Sequence, residues 1–249
     1  MEAKIERCIK KALAVHKAHA LAAINQQHLT AAAPPDAFNL NSWDSSVSDE
    51  ILPAVSDEMQ TLAERVTSFL QLSPEKRAEL LGKIDVDSRT ANFVDKVKTI
   101  GDDISAQLMD ELAVGIGKGE GTEVLRRRIA EVFRIGDNTA RRIVRTETHG
   151  AAEATTHASA DVIANSGYVV TKTWVATMNG DGRTRPEHED ADGQTVDQSE
   201  PFNVGGEDLM FPGDPDGSAE NVINCRCSTS FAMPDSALGP SDSGDMPDS

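Results

Sequence analysis

"GYVVTKTWVAT", residues 167–177, is where the periodicity of the chain changes. Before Gly167, apolar residues recur three and four apart. After it, Tyr168, Val170, Lys172 and Trp174 alternate with Val169, Thr171, Thr173 and Val175. A β-branched and aromatic run with that alternation reads as a strand. Gly167 suits the left-handed position just past a helix end. The predicted fold class is therefore α+β, mainly α: a multi-helix N-terminal body followed by a small irregular β-containing C-terminal unit.

Upstream of this switch the helical period dominates. Ile5, Ile9, Leu13 and Ala20 give a first helix, about 2–24, one apolar side opposite its lysines. Two prolines and several Asn and Ser predict a connector over 30–46, with Phe38 and Trp43 tucked against helices. Ser48 is the expected cap of a second helix carrying Ile51, Val55, Met59, Leu62 and Val66. Ser73 caps a third, with Pro74 at its first position, where a missing N–H costs nothing. Further helices are expected over about 88–100, 102–114, 122–134 and 138–165, the last two separated by a turn at "IGDN". "GIGKGEG", 115–121, lacks both the Walker spacing and a Lys-Ser/Thr ending, so it reads as a helix stop. The predicted divisions are 1–98, 99–167, 168–232, and an acidic, disordered tail over 233–249.

Downstream, residues 178–220 are rich in Gly, Pro, Asp and Asn, with short apolar pieces such as "QTV", "FNV" and "DLMF". So few apolar residues cannot hold a loop-rich segment together unaided. "ENVINCRCSTSF", 220–231, suggests a staple. On a strand at about 224–231, Cys225 and Cys227 would share one face while Arg226 points away. His188 is the only histidine of the unit, among Glu187, Glu189, Asp190 and Asp192. Two thiolates, an imidazole and a carboxylate would make a tetrahedral zinc site. Two readings stand beside that one: reduced thiols packed as small residues, and a strained disulfide. A nucleoside deaminase signature fails, because His188 is followed directly by Glu189 and Cys225 by Asn224 on its N-terminal side, with one residue between the cysteines.

Composition narrows the function. The 249 residues carry a net charge of −17, which argues against a protein that simply coats nucleic acid. The charge is uneven, however. From Arg126 to Arg145 there are seven arginines against Glu131 and Asp137, a basic stretch that could meet phosphates, an acidic partner or acids of its own chain. Three cysteines make no disulfide framework, nothing at the N-terminus looks like a signal peptide, and no run approaches a membrane span.

The ordered set "ARRIVRTETHGAAEATTHA", "GYVVTKTWVAT", "DGRTRPEHEDADGQ" and "EPFNVGGEDLMFPGDPDGSAENVINCRC" closely resembles the phage Mu protein F-like family of minor head, or head morphogenesis, proteins. The resemblance covers about 99–231, making 99–167 the helical part of that family's domain. Its motif positions fall on Arg145, Thr146, Glu147, Trp174, Asp181, Arg183, Arg185, His188, Asp192, Gly193, Cys225, Arg226 and Cys227. "MNGDG" before Arg183 is about two residues longer than the family pattern. The resemblance implies a structural, non-enzymatic protein of the tailed-phage head. It would associate with the portal protein, and with other head proteins or packaged DNA through Arg126–Arg145. It would assist head assembly or DNA delivery, residing in the virion after a stage in the host cytoplasm. Zinc is the one cofactor the residues suggest. The competing expectations are a metal-dependent hydrolase built on His188, Cys225 and Cys227, and a delivery or adaptor domain.

Overall fold

The computed structural model describes residues 2–26, 38–68, 73–83, 86–165, 167–178, 180 and 182–233. Their elements confirm the mainly helical α+β class: long helices first, short antiparallel strands last. The described chain forms two units. One takes Met1–Leu62 and Asp85–Thr148; the other takes Ala63–Ile84 and His149 onward. The second unit thus begins inside a helix rather than at the strand switch near 168. The tail from residue 234 lies outside the described residues.

In the first unit, α1 (Glu2–Gln26) buries Ile5, Ile9, Leu13 and Ala20, as the spacing predicts. The expected connector is helical from Leu40: α2 (Leu40–Ser46) runs through a π-helical turn (Val47–Ile51) into α3 (Leu52–Ser68). Its cap is not Ser48 but Asn39, whose side chain accepts the Ser42 N–H at 3.0 Å. The π turn has a cause in Pro53. Proline cannot donate, and its ring crowds the carbonyl four residues back. The wider turn relieves that crowding, and the Leu52 N–H reaches Val47, five residues back. Phe38 and Trp43 are buried as expected, packed around the buried His16.

Two predicted breaks are absent. Residues 88–114 lie in one helix, α5 (Val86–Gly117), and 122–165 in another, α6 (Thr122–Ala164). Glycine mid-helix costs about 1 kcal/mol, which favoured a break. Here the glycines do packing work instead. The Trp43 indole occupies the space a Cβ on Gly101 would need, and Ile104 Cδ1 lies 2.6 Å from where a Cβ on Gly136 would stand. Asp137 pairs with Arg141 at 2.7 Å, one turn on, and supports the helix across "IGDN". α5 then presents Phe93, Val97, Ile100, Ile104, Leu108 and Leu112 as one buried stripe. The "GIGKGEG" stretch is a helix stop, with Gly119 at φ +68°.

The second unit holds α4 (Pro74–Lys83), the later part of α6 and all the strands. β1 (Thr171–Val175) is central in a three-stranded antiparallel sheet, between β2 (Thr195–Asp197) and β5 (Ser228–Ala232). β3 (Phe202–Val204) and β4 (Glu207–Leu209) form a hairpin across Gly205 and Gly206, both at positive φ. α7 (Pro186–Asp190) and α8 (Ala219–Val222) are single turns. The inward side of β1 is Val170, Lys172 and Trp174, continued by Ala176. Among the described residues, no helix is long and apolar enough to cross a membrane.

Candidate functional site

The core of the small sheet is Trp174, Ala176, Ala191, Phe202, Val204 and Leu209, together with Cys225 and Cys227. His188 closes this core, only 1% exposed, with Trp174 edge-on at 5.5 Å between ring centres. Proline at the start of α7 sets that single turn, and one residue in it faces inward. His188 is that residue; Glu187, Glu189 and Asp190 stay exposed. His188 Nδ1 lies 3.3 Å from Cys227 Sγ and 3.7 Å from Cys225 Sγ. The three donor atoms all lie within 4.8 Å of one another.

The cysteines arrive there differently from the expected strand face. β5 starts only at Ser228, so both precede it in irregular chain after α8. Asn224 takes a left-handed φ of 57°, a conformation Asn tolerates better than most residues. The Cys225 N–H returns to the Val222 carbonyl at 3.1 Å. This turn, not strand alternation, aims both thiols inward while Arg226 is half-exposed. Both cysteines are free thiols, so they form no disulfide.

The environment separates the two thiols. A hydrogen bond from Cys225 pulls the Cys227 thiol below the usual range, helped by the Thr177 backbone and opposed by burial. That same shared hydrogen bond, with burial, pushes Cys225 up. His149, on α6, is hydrogen-bonded to the Cys227 backbone; burial lowers its pKa, and its Nε2 has no partner among the described residues. No carboxylate joins the cluster among the described residues. Asp192, one of the expected acids, accepts the Ala176 N–H at 2.8 Å instead.

Comparison with known proteins gives this arrangement a context. The phage Mu protein F-like family matches residues 106–230, half of the chain. The chain belongs to that family. It is 30% identical over 128 residues to an NAD(+)–arginine ADP-ribosyltransferase EFV of Enterococcus faecalis, covering 51% of this chain and 26% of that protein. It is 28% identical over 198 residues to the uncharacterized protein YqbB of Bacillus subtilis, covering 74% of this chain and 63% of that protein. The chain thus spans less than two thirds of either relative. No solved structure matches it.

The other Mu F-like motif residues surround the cluster or lie apart from it. Trp174 is fully buried beside His188 and Phe202. Arg185 precedes α7 and donates to the Ile223 carbonyl, joining α7 to the cysteine turn. The Arg226 carbonyl accepts from the Thr177 hydroxyl. Arg183 is exposed, and Asp181 lies outside the described residues. Arg145 and Glu147 belong to the first unit. Arg145 Nε is 3.7 Å from Glu2 on α1, and Glu147 pairs with Lys96 on α5.

The basic stretch is largely neutralised. Arg128 pairs with Glu120 and Glu111, Arg134 with Glu131, Arg141 with Asp137, and Arg126 approaches Glu123 at 3.8 Å. Exposed Arg127 and Arg142 have no ion pair among the described residues.

Sequence reasoning missed three contributors. Asn221 Oδ1 sits 3.3 Å from His188 Nε2, and no motif marked it. Glu153 of α6 accepts the Thr229 N–H at 3.0 Å and carries a pKa raised to about 7, chiefly by burial. Gly150 lets the Gly213 carbonyl come within 2.9 Å of its missing Cβ. The last had a signal: Gly213 stands in "PGDP", where Asp214 accepts the Met210 and Asp216 N–H groups and fixes the turn.

Proposed function

We propose that this protein is a minor head protein of a tailed phage, docking on the portal during head assembly and acting by binding, without turnover of a small molecule. The observation that carries this is the family match over 106–230, since that family points to head morphogenesis and the virion. The helical unit offers long, rigid faces suited to a large ring. Exposed Arg127 and Arg142, in no ion pair among the described residues, supply positive charge for acidic portal side chains or packaged DNA. The test is a pull-down with the portal protein encoded beside it, at rising salt, alongside mass spectrometry of procapsids and mature particles. Capture that weakens with salt, and presence in particles, is expected. Absence from both particles and procapsids, with no capture at any salt, overturns the reading.

A second reading has one observation of its own. The segment shared with the Enterococcus faecalis transferase covers 26% of that protein, as a module joined to something larger would. On that reading the domain is a delivery or adaptor module. Incubation with labelled NAD+ and an arginine-rich acceptor separates activity from carriage. Label transfer would refute the binding-only proposal.

A further inference from the structure

We infer that His188 Nδ1, Cys225 Sγ and Cys227 Sγ bind one zinc ion per chain, as the staple of the C-terminal unit. The first ground is distance. Zn–S of about 2.3 Å and Zn–N of about 2.0–2.1 Å at tetrahedral angles place N and S about 3.5 Å apart. The observed separations of 3.3 and 3.7 Å bracket that value. Two sulfurs on such an ion stand about 3.8 Å apart, inside the 4.8 Å that encloses all three donors.

The second ground is the tautomer. Asn221 Nδ2 donates to the Val204 carbonyl at 3.3 Å, which fixes which way its amide points. Oδ1 then faces His188 Nε2, so that nitrogen carries the ring proton. Nδ1 is left as a bare lone pair between two sulfurs. A ligating histidine whose other N–H is held by a neighbouring acceptor is the usual arrangement around zinc.

The third ground is charge. Two thiolates and a neutral imidazole cancel the 2+ of zinc, so the centre can be buried without a net charge. Loading releases thiol protons to solvent as the cysteines become thiolates, with no redox change. The donor set selects among metals. Thiolates reject calcium and magnesium, which take oxygen, and three protein donors are too few for an iron–sulfur cluster.

The fourth ground is need. Apart from the cysteines, the buried core of the sheet among the described residues is six side chains, with Val196 packed against them. The ion would join α7 to the turn before β5, two segments otherwise linked through Arg185 to Ile223.

The experiment uses the full chain, purified without a histidine tag. Elemental analysis is expected to find one zinc per chain, lost in Cys225→Ser and Cys227→Ser and kept in Cys8→Ser. Chelation should lower the melting temperature of the wild type, and zinc should restore it. Cobalt(II) loading should give intense tetrahedral bands with thiolate charge transfer. If the serine variants do not fold, chelation and cobalt loading of the wild type decide. Wild type without zinc whose melting ignores both zinc and chelator overturns the inference. So does undiminished zinc in the double serine variant, or a pale octahedral cobalt spectrum.

Discussion

Lys172 Nζ donates to the Met210 carbonyl at 2.9 Å from a side chain with no solvent exposure. It lies 5.0 Å from the centre of the Phe202 ring, on the inward side of the central strand. Burial lowers its pKa from 10.5 to about 8, against the pull of Asp161, Asp214 and Glu200. A lysine whose folded pKa is depressed favours folding most above its unfolded pKa, and that contribution is lost as pH falls through 8. Relative to Lys172→Met, wild type should therefore gain about 2 kcal/mol of stability between pH 7 and pH 9.5. Paired denaturant titrations at the two pH values measure this difference, and groups common to both proteins cancel. Parallel pH curves for the two would contradict it.

Gly101 and Gly82 should answer alanine oppositely. At Gly101 a methyl group meets the Trp43 indole, while at Gly82 nothing lies within 4 Å. Alanine gains about 0.5–1 kcal/mol of helix propensity at either site. At Gly101, overpacking a fully buried tryptophan costs about 1–3 kcal/mol and outweighs that gain. Gly101→Ala should lower the melting temperature and shift tryptophan emission, while Gly82→Ala should raise stability slightly. A stabilised Gly101→Ala would mean the indole has room to move.

Much of this architecture was legible because burial repeats. The stripes on α1 and α5, the inward residues of β1 and the short strands at "QTV", "FNV" and "DLMF" all follow period 3.6 or 2. What misled were residues with two uses. Gly101 and Gly136 look like stops in isolation and are close-approach points once Trp43 and Ile104 are placed. Asn39 and Ser48 are equally good caps by type; the π turn before Pro53 let the helix pass Ser48. His188, Cys225 and Cys227 were recognisable as donors by chemistry, but the turn that unites them depends on a left-handed Asn224, which no periodicity encodes. Asn221 was invisible, since an amide in a polar loop has many roles and only its placement against Val204 gives it this one.

Arg145 tests the weight of a surface ion pair inside the first unit. Its partner is Glu2, at 3.7 Å, and both side chains are about half exposed. Exposed pairs of this kind contribute about 0–1 kcal/mol. Arg145→Ala should therefore leave the melting curve within about 0.5 kcal/mol of wild type and the protease cleavage pattern of residues 149–233 unchanged. New cleavage in that segment would mean that Arg145 does more than pair with Glu2.

Asn221 should set zinc affinity without touching the ion. Its amide is held by the Val204 carbonyl and keeps the His188 proton on Nε2. In Asn221→Ala the imidazole loses its acceptor and can turn, or place its proton on Nδ1, where it blocks ligation. Removing such a supporting partner weakens metal binding by about 10–100-fold. Competition against a chromophoric chelator should report that loss for Asn221→Ala. With zinc in excess the same variant should still load one ion and give the tetrahedral cobalt spectrum, because its three donors are intact. That separates it from Cys225→Ser, which should fail at any zinc concentration. Affinity equal to wild type would show that the tautomer is fixed by something other than Asn221.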